Sequence, residues 1–207
     1  GLPIVPHLTF LRSELTDMQN IVKKIAEHLG YPCFVKPANL GSSVGISKVS
    51  EETQLKEALK HAAQFDRKII VERAVIAREI ELSVLGNDYP EVSVPGEIIP
   101  SKEFYDYEAK YIDTGSKLII PADLDPDIVT KLQDYSRRAF RAVEAKGLSR
   151  MDFFVTADNE IYINEVNTLP GFTQISMYPK LWEASGLSYK DLLNRLIELG
   201  LERFHEV

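Results

Sequence analysis

Two apolar runs, residues 151–156 and 160–166, meet across the pair Asp158-Asn159. An Asp-Asn pair between such runs predicts a β-hairpin with a two-residue turn. Counting outward from that turn puts Asp152 opposite Glu165 and Arg150 opposite Asn167. Residues two apart share a strand face. Arg150, Asp152, Glu165 and Asn167 therefore project from one side at one end, with Phe154 and Thr156 against Ile161 and Ile163 farther along. The other face receives Met151, Phe153 and Val155 with Tyr162 and Val166. A slip of one residue would scatter the four polar groups.

Two carboxylates facing each other across a strand pair repel unless something positive stands between them. Arg150 is one candidate. A hard cation such as Mg²⁺, which accepts carboxylate and amide oxygens and leaves places for phosphate, is another. An exposed strand end carrying an Arg–Asp–Glu network satisfies the same residues, so spacing alone leaves both readings open.

The rest of the chain limits what such a hairpin can belong to. Its 207 residues, 44% apolar and 27% charged, are those of a globular protein of one large or two small domains. No uncharged apolar run approaches the roughly 18 residues of a spanning helix. No basic stretch followed by an apolar core opens the chain, so no signal peptide is expected. A single cysteine, Cys33, excludes a disulfide framework and a cysteine zinc cluster, and a cytoplasmic location follows as the expectation. The net charge of −7 argues against a general nucleic-acid surface.

Helical spacing is expected from Thr16, through a capping box with Gln19, to Gly30, and again from Ser50 to Phe65. A third helix should open at Asp125 or Asp127 and run to Lys146, with Val129, Leu132, Tyr135, Ala139, Ala142 and Val143 inward. A last one, capped by Ser188, should bury Leu192, Leu193, Leu196 and Ile197. Strands are expected at residues 33–35, 68–72, 79–85 (half-buried) and 117–120, and residues 89–95 can return from a turn at 86–88. Residues 102–116 have no period and read as a long loop. The division expected is a small α+β piece, residues 1–76, and a larger antiparallel-sheet piece, residues 77–207.

Between the first pieces lies Asn39-Leu40-Gly41-Ser42-Ser43-Val44-Gly45. Its glycines allow unusual dihedrals, its serines add hydroxyls beside backbone N–H groups, and Lys36 can bring a charge to the same place. The loop is neither a Walker A sequence nor G-x-G-x-x-G; taken alone, such a loop is more often a plain turn and such a lysine more often solvated.

Taken in order, several stretches carry a family resemblance. They are Val35-Lys36-Pro37 with Gly41-Ser42-Ser43-Val44-Gly45, Val71-Glu72-Arg73, Tyr107-Glu108-Ala109-Lys110-Tyr111, Arg150-Met151-Asp152-Phe153, and Asn164-Glu165-Val166-Asn167-Thr168-Leu169-Pro170-Gly171. Together they resemble D-alanine–D-alanine ligase of the ATP-grasp superfamily, over nearly the whole chain.

The resemblance implies an α+β ATP-grasp fold with ATP held between two subdomains with antiparallel sheets. Lys36 would contact the phosphates beneath the Ser42-Ser43 loop. Glu72 would bind the adenine amino group, beside Arg73 and the backbone of Ala74 and Val75, and Glu79 would bind the ribose. Asp152, Glu165 and Asn167 would hold two Mg²⁺ ions, for which Mn²⁺ could substitute. Arg150 and the backbone of Gly171 would stabilise the tetrahedral intermediate. Ser176 and Met177 would hold the carboxylate of the second D-alanine. Lys110 and Tyr111 would belong to a mobile loop, residues 102–116, that closes on the γ-phosphate and shuts out water.

The reaction implied is cytoplasmic and serves peptidoglycan synthesis, hence cell-wall biogenesis and cell shape. One D-alanine carboxylate takes the γ-phosphoryl group, and the amine of a second D-alanine displaces phosphate. The family's N-terminal domain and an upstream ATP-contacting lysine have no counterpart here. Lys23 and Lys24 do not match that lysine, and Arg73 stands where lysine is common. Three alternatives therefore stand: a fragment that binds Mg-ATP without full turnover, another ATP-grasp carboxylate–amine ligase, or a D-alanine–D-lactate ligase, from which Tyr111 would distinguish it. Neither nucleic acid nor membrane is an expected partner, and the resemblance allows a homodimer for the intact enzyme.

Overall fold

The computed structural model describes residues 1–41, 43–100 and 117–205. They form two compact units: Val5–Ile76 in one, and Gly1–Ile4, Ala77–Ile99 and the residues from Lys117 on in the other. Among the described residues, no helix is long and apolar enough to cross a membrane.

The smaller unit is a four-stranded antiparallel sheet of β1 (His7–Leu11), β2 (Cys33–Pro37), β3 (Ser47–Val49) and β4 (Lys68–Arg73), in the order β1-β4-β2-β3. Two helices, α1 (Met18–His28) and α2 (Glu52–Phe65), cover one face. Alternation sends Cys33, Val35, Ile69 and Val71 into a core with Ile21, Val22, Ile25, Leu55 and Leu59. It leaves Phe34, Lys36, Ile70 and Glu72 on the opposite face. Strands β1 and β3 are additions to the sequence reading.

Both helix starts differ from expectation. Residues Arg12–Asp17 form a 3-10 turn, and Asp17, not Thr16, caps α1 by accepting from the Asn20 N–H at 3.4 Å. Glu51, not Ser50, stands at the start of α2, and the Ser50 N–H is bonded to Gln54 Oε1 at 2.8 Å. Gly30 ends α1 at φ +70°, as a glycine past a helix should.

The larger unit is a six-stranded antiparallel sheet. Its strands are β5 (Ala77–Gly86), β6 (Glu91–Val92), β7 (Gly96–Ile99), β8 (Lys117–Ile119), β9 (Gly147–Thr156) and β10 (Ile161–Asn167). The order is β10-β9-β5-β7-β8, with β6 also on β5. Three helices pack on it: α3 (Pro126–Ala142), α4 (Met177–Ala184) and α5 (Tyr189–His205). One core joins Ile80, Leu82, Met151 and Phe153 to Leu132 and Phe140 of α3. A second joins Leu85 to Tyr178 and Trp182 of α4 and Leu192 and Leu199 of α5. β5 is consequently buried without interruption from Ile80 to Gly86, not half-buried as its alternation suggested. Even Ser83 is inside, its hydroxyl donating to Tyr178 O at 3.0 Å.

Two helix faces are rotated from expectation. α3 buries Ile128, Leu132, Ser136, Ala139 and Phe140, and Val143 lies past its end, exposed. α5 does start from Ser188, whose Oγ accepts from the Asp191 N–H at 3.2 Å, but Leu193 and Ile197 face outward. Helix α4 had no counterpart in the sequence reading. The first four residues lie with the larger unit: the Ile163 N–H donates to Pro3 O at 2.9 Å, and Ile4 bridges Ile163 in parallel.

Candidate functional site

The β9–β10 hairpin brings the four polar residues together by a route other than the expected one. Its turn holds three residues, 157–159: the Thr156 N–H donates to Glu160 O and the Asn159 N–H to Thr156 O, each at 3.0 Å. Asn159 takes the positive φ (+63°) that such a turn requires and that asparagine tolerates. The near ladder then pairs Ile161 with Val155, Tyr162 with Phe154 and Ile163 with Phe153, one residue off expectation. Ile163 thus joins the core with Phe153, and Tyr162 sits by Phe154.

An irregularity at Asn164 absorbs one residue, after which Glu165 pairs with Asp152, Val166 with Met151 and Asn167 with Arg150. Without it the near register would continue, Glu165 would oppose the core residue Met151, and the cluster would not exist. The loop error and the bulge cancel, so the expected grouping stands on different geometry.

Arg150 grips Asp152 with a fork, Nε donating to Oδ1 and Nη2 to Oδ2, both at 2.7 Å. Asn167 Nδ2 donates to Asp152 Oδ2 at 3.0 Å and to Glu165 Oε1 at 3.2 Å, placing its hydrogens between the two carboxylates. Glu81 of β5 stands on the other side of Asp152, with Oε2 3.0 Å from Arg150 Nε. Burial pushes the Asp152 carboxyl above its ordinary range; Arg150 pulls it back and Glu165 pushes it further. Burial opposes the Arg150 charge, but Asp152, Glu81 and Glu165 outweigh it and hold its pKa above the usual value. Sequence reasoning missed Glu81. Its alternation with Glu79 suggested an exposed strand face, and only the packing of helices on both sides of β5 shows otherwise.

On the smaller unit's open face, Lys36 Nζ and Glu72 Oε2 form an ion pair at 2.8 Å. The glycine–serine loop leaves the end of β2. Its entry is anchored by Asn39, whose backbone and side-chain N–H groups both donate to Asp66 Oδ2, at 2.9 and 2.7 Å. With the Lys68 N–H, these bonds lower the Asp66 pKa. Gly45, at φ +75°, is required twice: a Cβ there would lie 2.7 Å from the Phe65 ring and 3.1 Å from Pro37.

Residues 1–198 match the family model described as D-ala D-ala ligase C-terminus. The chain belongs to the D-alanine–D-alanine ligase family. It is 39% identical to a solved D-alanine-D-alanine ligase from Coxiella burnetii, with a TM-score of 0.84 over 100% of this chain and 54% of that one. It is 38% identical to the VanG D-Ala:D-Ser ligase from Enterococcus faecalis, with a TM-score of 0.86 over 96% of this chain and 57% of that one. The chain therefore spans a little over half the length of each of these two relatives. The expected ATP-grasp fold of α+β units with antiparallel sheets is the fold found.

Within that family frame the remaining site residues fall unevenly. Ser42, Lys110 and Tyr111, and the loop 102–116, lie outside the described residues. Ser43 sits in the turn at φ +59°. Glu79 is on β5, opposite Phe154 of β9. Arg73 points away from the open face of the smaller unit's sheet: Nε donates to Leu29 O at 3.1 Å and Nη2 to His28 O at 3.2 Å, capping α1. The N–H groups of Arg73 and Ala74 are bonded to Pro6 O and Pro32 O, each at 3.0 Å. Gly171 and Ser176 are neighbours, since a Cβ on Gly171 would lie 3.2 Å from Ser176 Oγ. Ser176 Oγ accepts from the Thr173 N–H at 3.0 Å. The Met177 side chain is buried and the Ser176 N–H donates to Thr173 O at 2.9 Å, leaving the Met177 N–H and the Ser176 hydroxyl as the parts of that pair able to meet an anion.

Proposed function

We propose that this chain is the nucleotide-binding and catalytic part of an ATP-dependent, ADP-forming ligase. It would join one D-alanine to the amine of a second through an acyl phosphate, as a cytoplasmic step of peptidoglycan synthesis. The observation that carries the reading is the cluster of Arg150, Asp152, Glu165 and Asn167, assembled by the bulge at Asn164. A structural ion network would not need a bulge to bring a second carboxylate over Asp152.

The donor set fits a hard divalent cation. Two carboxylates and an amide converge, all able to present oxygen, and the Asn167 amide now occupies the space between the acids with its hydrogens. In this reading Asp152, Glu165 and Asn167 would hold Mg²⁺ or Mn²⁺. When bound, the ion would neutralise charge on the phosphates. Lys36 contributes a point charge to the same phosphates, Ser43 and the neighbouring Ser42 contribute hydroxyls, and Lys110 and Tyr111 would act as their motif implies. Glu72 accepts from the base amino group, with Val75 and the Ala74 carbonyl alongside, and Glu79 accepts from the ribose. Arg150 presents its guanidinium, and Gly171 its N–H, to the oxyanion that forms when the amine attacks. The Met177 N–H and the Ser176 hydroxyl would take the second substrate's carboxylate.

Calorimetry with ATP, with and without Mg²⁺, tests the nucleotide site, and a coupled assay with D-alanine, D-serine and D-lactate tests the ligation. Mg²⁺-dependent ATP binding with D-alanyl-D-alanine as the main product is the expected result. ATP binding indifferent to Mg²⁺ would overturn the reading.

A further inference from the structure

Asp152 has an acid on each side. β9 lies between β5 and β10, and the registers set Glu81 and Glu165 opposite Asp152 from the two flanking strands. The Glu81 side chain is only 8% exposed, a depth at which an acid is rarely found without a partner. Its Oε2 stands 3.0 Å from Arg150 Nε. The single Nε–H is donated to Asp152, as is one Nη2 hydrogen. One guanidinium thus faces two carboxylates, and its fork is committed to one of them.

That arrangement meets a conflict when Asp152 ligates a cation. Arg150 would lose two charged hydrogen bonds in a buried setting, which is costly for a guanidinium. It would either compete with the ion for Asp152 or leave the place from which it serves the reaction. Glu81 removes the conflict, because the Nε–H needs only a small turn to reach an acceptor already 3.0 Å away. We propose that Glu81 is a positioning residue that keeps the Arg150 guanidinium in place while Asp152 is handed to a divalent cation. The inference rests on the cation reading of Asp152, Glu165 and Asn167 above.

Mn²⁺ titration of the 207-residue chain, read by electron paramagnetic resonance of the free ion, tests this in wild type, Glu81→Gln, Arg150→Met and the double variant. Thermal melts check that each is folded. Glu81→Gln should weaken Mn²⁺ binding about tenfold or more, because Arg150 then keeps Asp152. In the Arg150→Met background the same change should cost about twofold or less. Equal losses in both backgrounds would make Glu81 a plain charge near the ion and overturn the proposal. So would an unchanged affinity in Glu81→Gln.

A second readout needs no variant. The Arg150 Nε–H proton resonance of wild type should remain protected from solvent exchange when Mg²⁺ saturates the site. Its disappearance on Mg²⁺ addition would overturn the proposal. Wild type that binds no Mn²⁺ would overturn the cation reading together with this inference. Binding in wild type with an indifferent Glu81→Gln overturns the inference alone.

Discussion

Lys36 on β2 and Glu72 on β4 hold each other at 2.8 Å, on the sheet face that α1 and α2 leave open, with each side chain one-fifth exposed. The proposed site uses them at opposite ends of one ligand, the lysine at phosphate and the acid at the base. A partly exposed pair of this kind contributes about 1 kcal/mol or less, so a nucleotide can separate it at small cost.

Replacing Lys36 by Gln should therefore act on the phosphate end. ATP affinity is expected to fall roughly ten- to hundredfold, the range of a lost charge-assisted hydrogen bond of about 1.5–3 kcal/mol. Adenosine affinity should change little. Calorimetry with both ligands checks it, and equal losses for ATP and adenosine would remove Lys36 from the phosphate site.

Glu165→Gln should separate folding from metal binding. Glu165 is exposed, and the Asn167 amide already bridges it to Asp152. The stability change is therefore expected within about 0.5 kcal/mol. Mg²⁺-dependent ATP affinity should fall at least about tenfold. A chemical denaturation curve and a Mg-ATP titration measure the two effects, and a mutant that binds Mg-ATP as wild type does would exclude Glu165 as a ligand.

Cys33 supplies a pH test of the smaller unit's core. Burial raises its thiol from 9.0 to about 11. A pKa raised by folding contributes stability that is fully present below the unfolded value and is lost as pH rises through the folded one. Stability should accordingly decline between about pH 9 and 11, and Cys33→Ala should flatten that part of the profile while costing some packing at every pH. Urea titrations across the range decide it. A wild-type profile as flat as the mutant's would show that the thiol does not titrate with unfolding.

How far these residues could be read without coordinates depends on the range of the forces that place them. The cores of α1 and α2, the Gly30 stop and the Ser188 cap are local, and periodicity or a single side chain shows them. The cluster at Asp152 was legible only because two non-local features offset each other. The three-residue turn costs one register step, and the bulge at Asn164 returns it. The direction of Arg73, the burial of Glu81 and the outward turn of Leu193 and Ile197 were not legible at all. Each is decided by what packs against the element from elsewhere in the chain: the end of α1 for Arg73, helices on both sheet faces for Glu81, and the contact of Leu192 and Leu199 with Leu85, Tyr178 and Trp182 for the face of α5. A motif match carries a residue type to a position without saying which way its side chain points, and at Arg73 and Met177 that is the deciding question.

Arg73 offers the sharpest separation of the two kinds of reading. Its motif neighbours Glu72, and by sequence it belongs to the nucleotide site. Its guanidinium instead bonds the carbonyls of His28 and Leu29, the unsatisfied C-terminal groups of α1, where a cation also meets the favourable end of the helix dipole. Arg73→Ala should thus destabilise the fold, by about 1–2 kcal/mol for two charged hydrogen bonds of which one is partly buried and one exposed. Arg73→Lys should recover part of this, since one ammonium can reach one carbonyl but not both. ATP affinity, measured well below the melting temperature of each variant, should be unchanged within about twofold, because the proposed site gives the base Glu72, Val75 and the Ala74 carbonyl and not the Arg73 guanidinium. A tenfold loss of ATP affinity in Arg73→Lys, with stability near wild type, would reverse the assignment and place the guanidinium on the nucleotide when ATP binds.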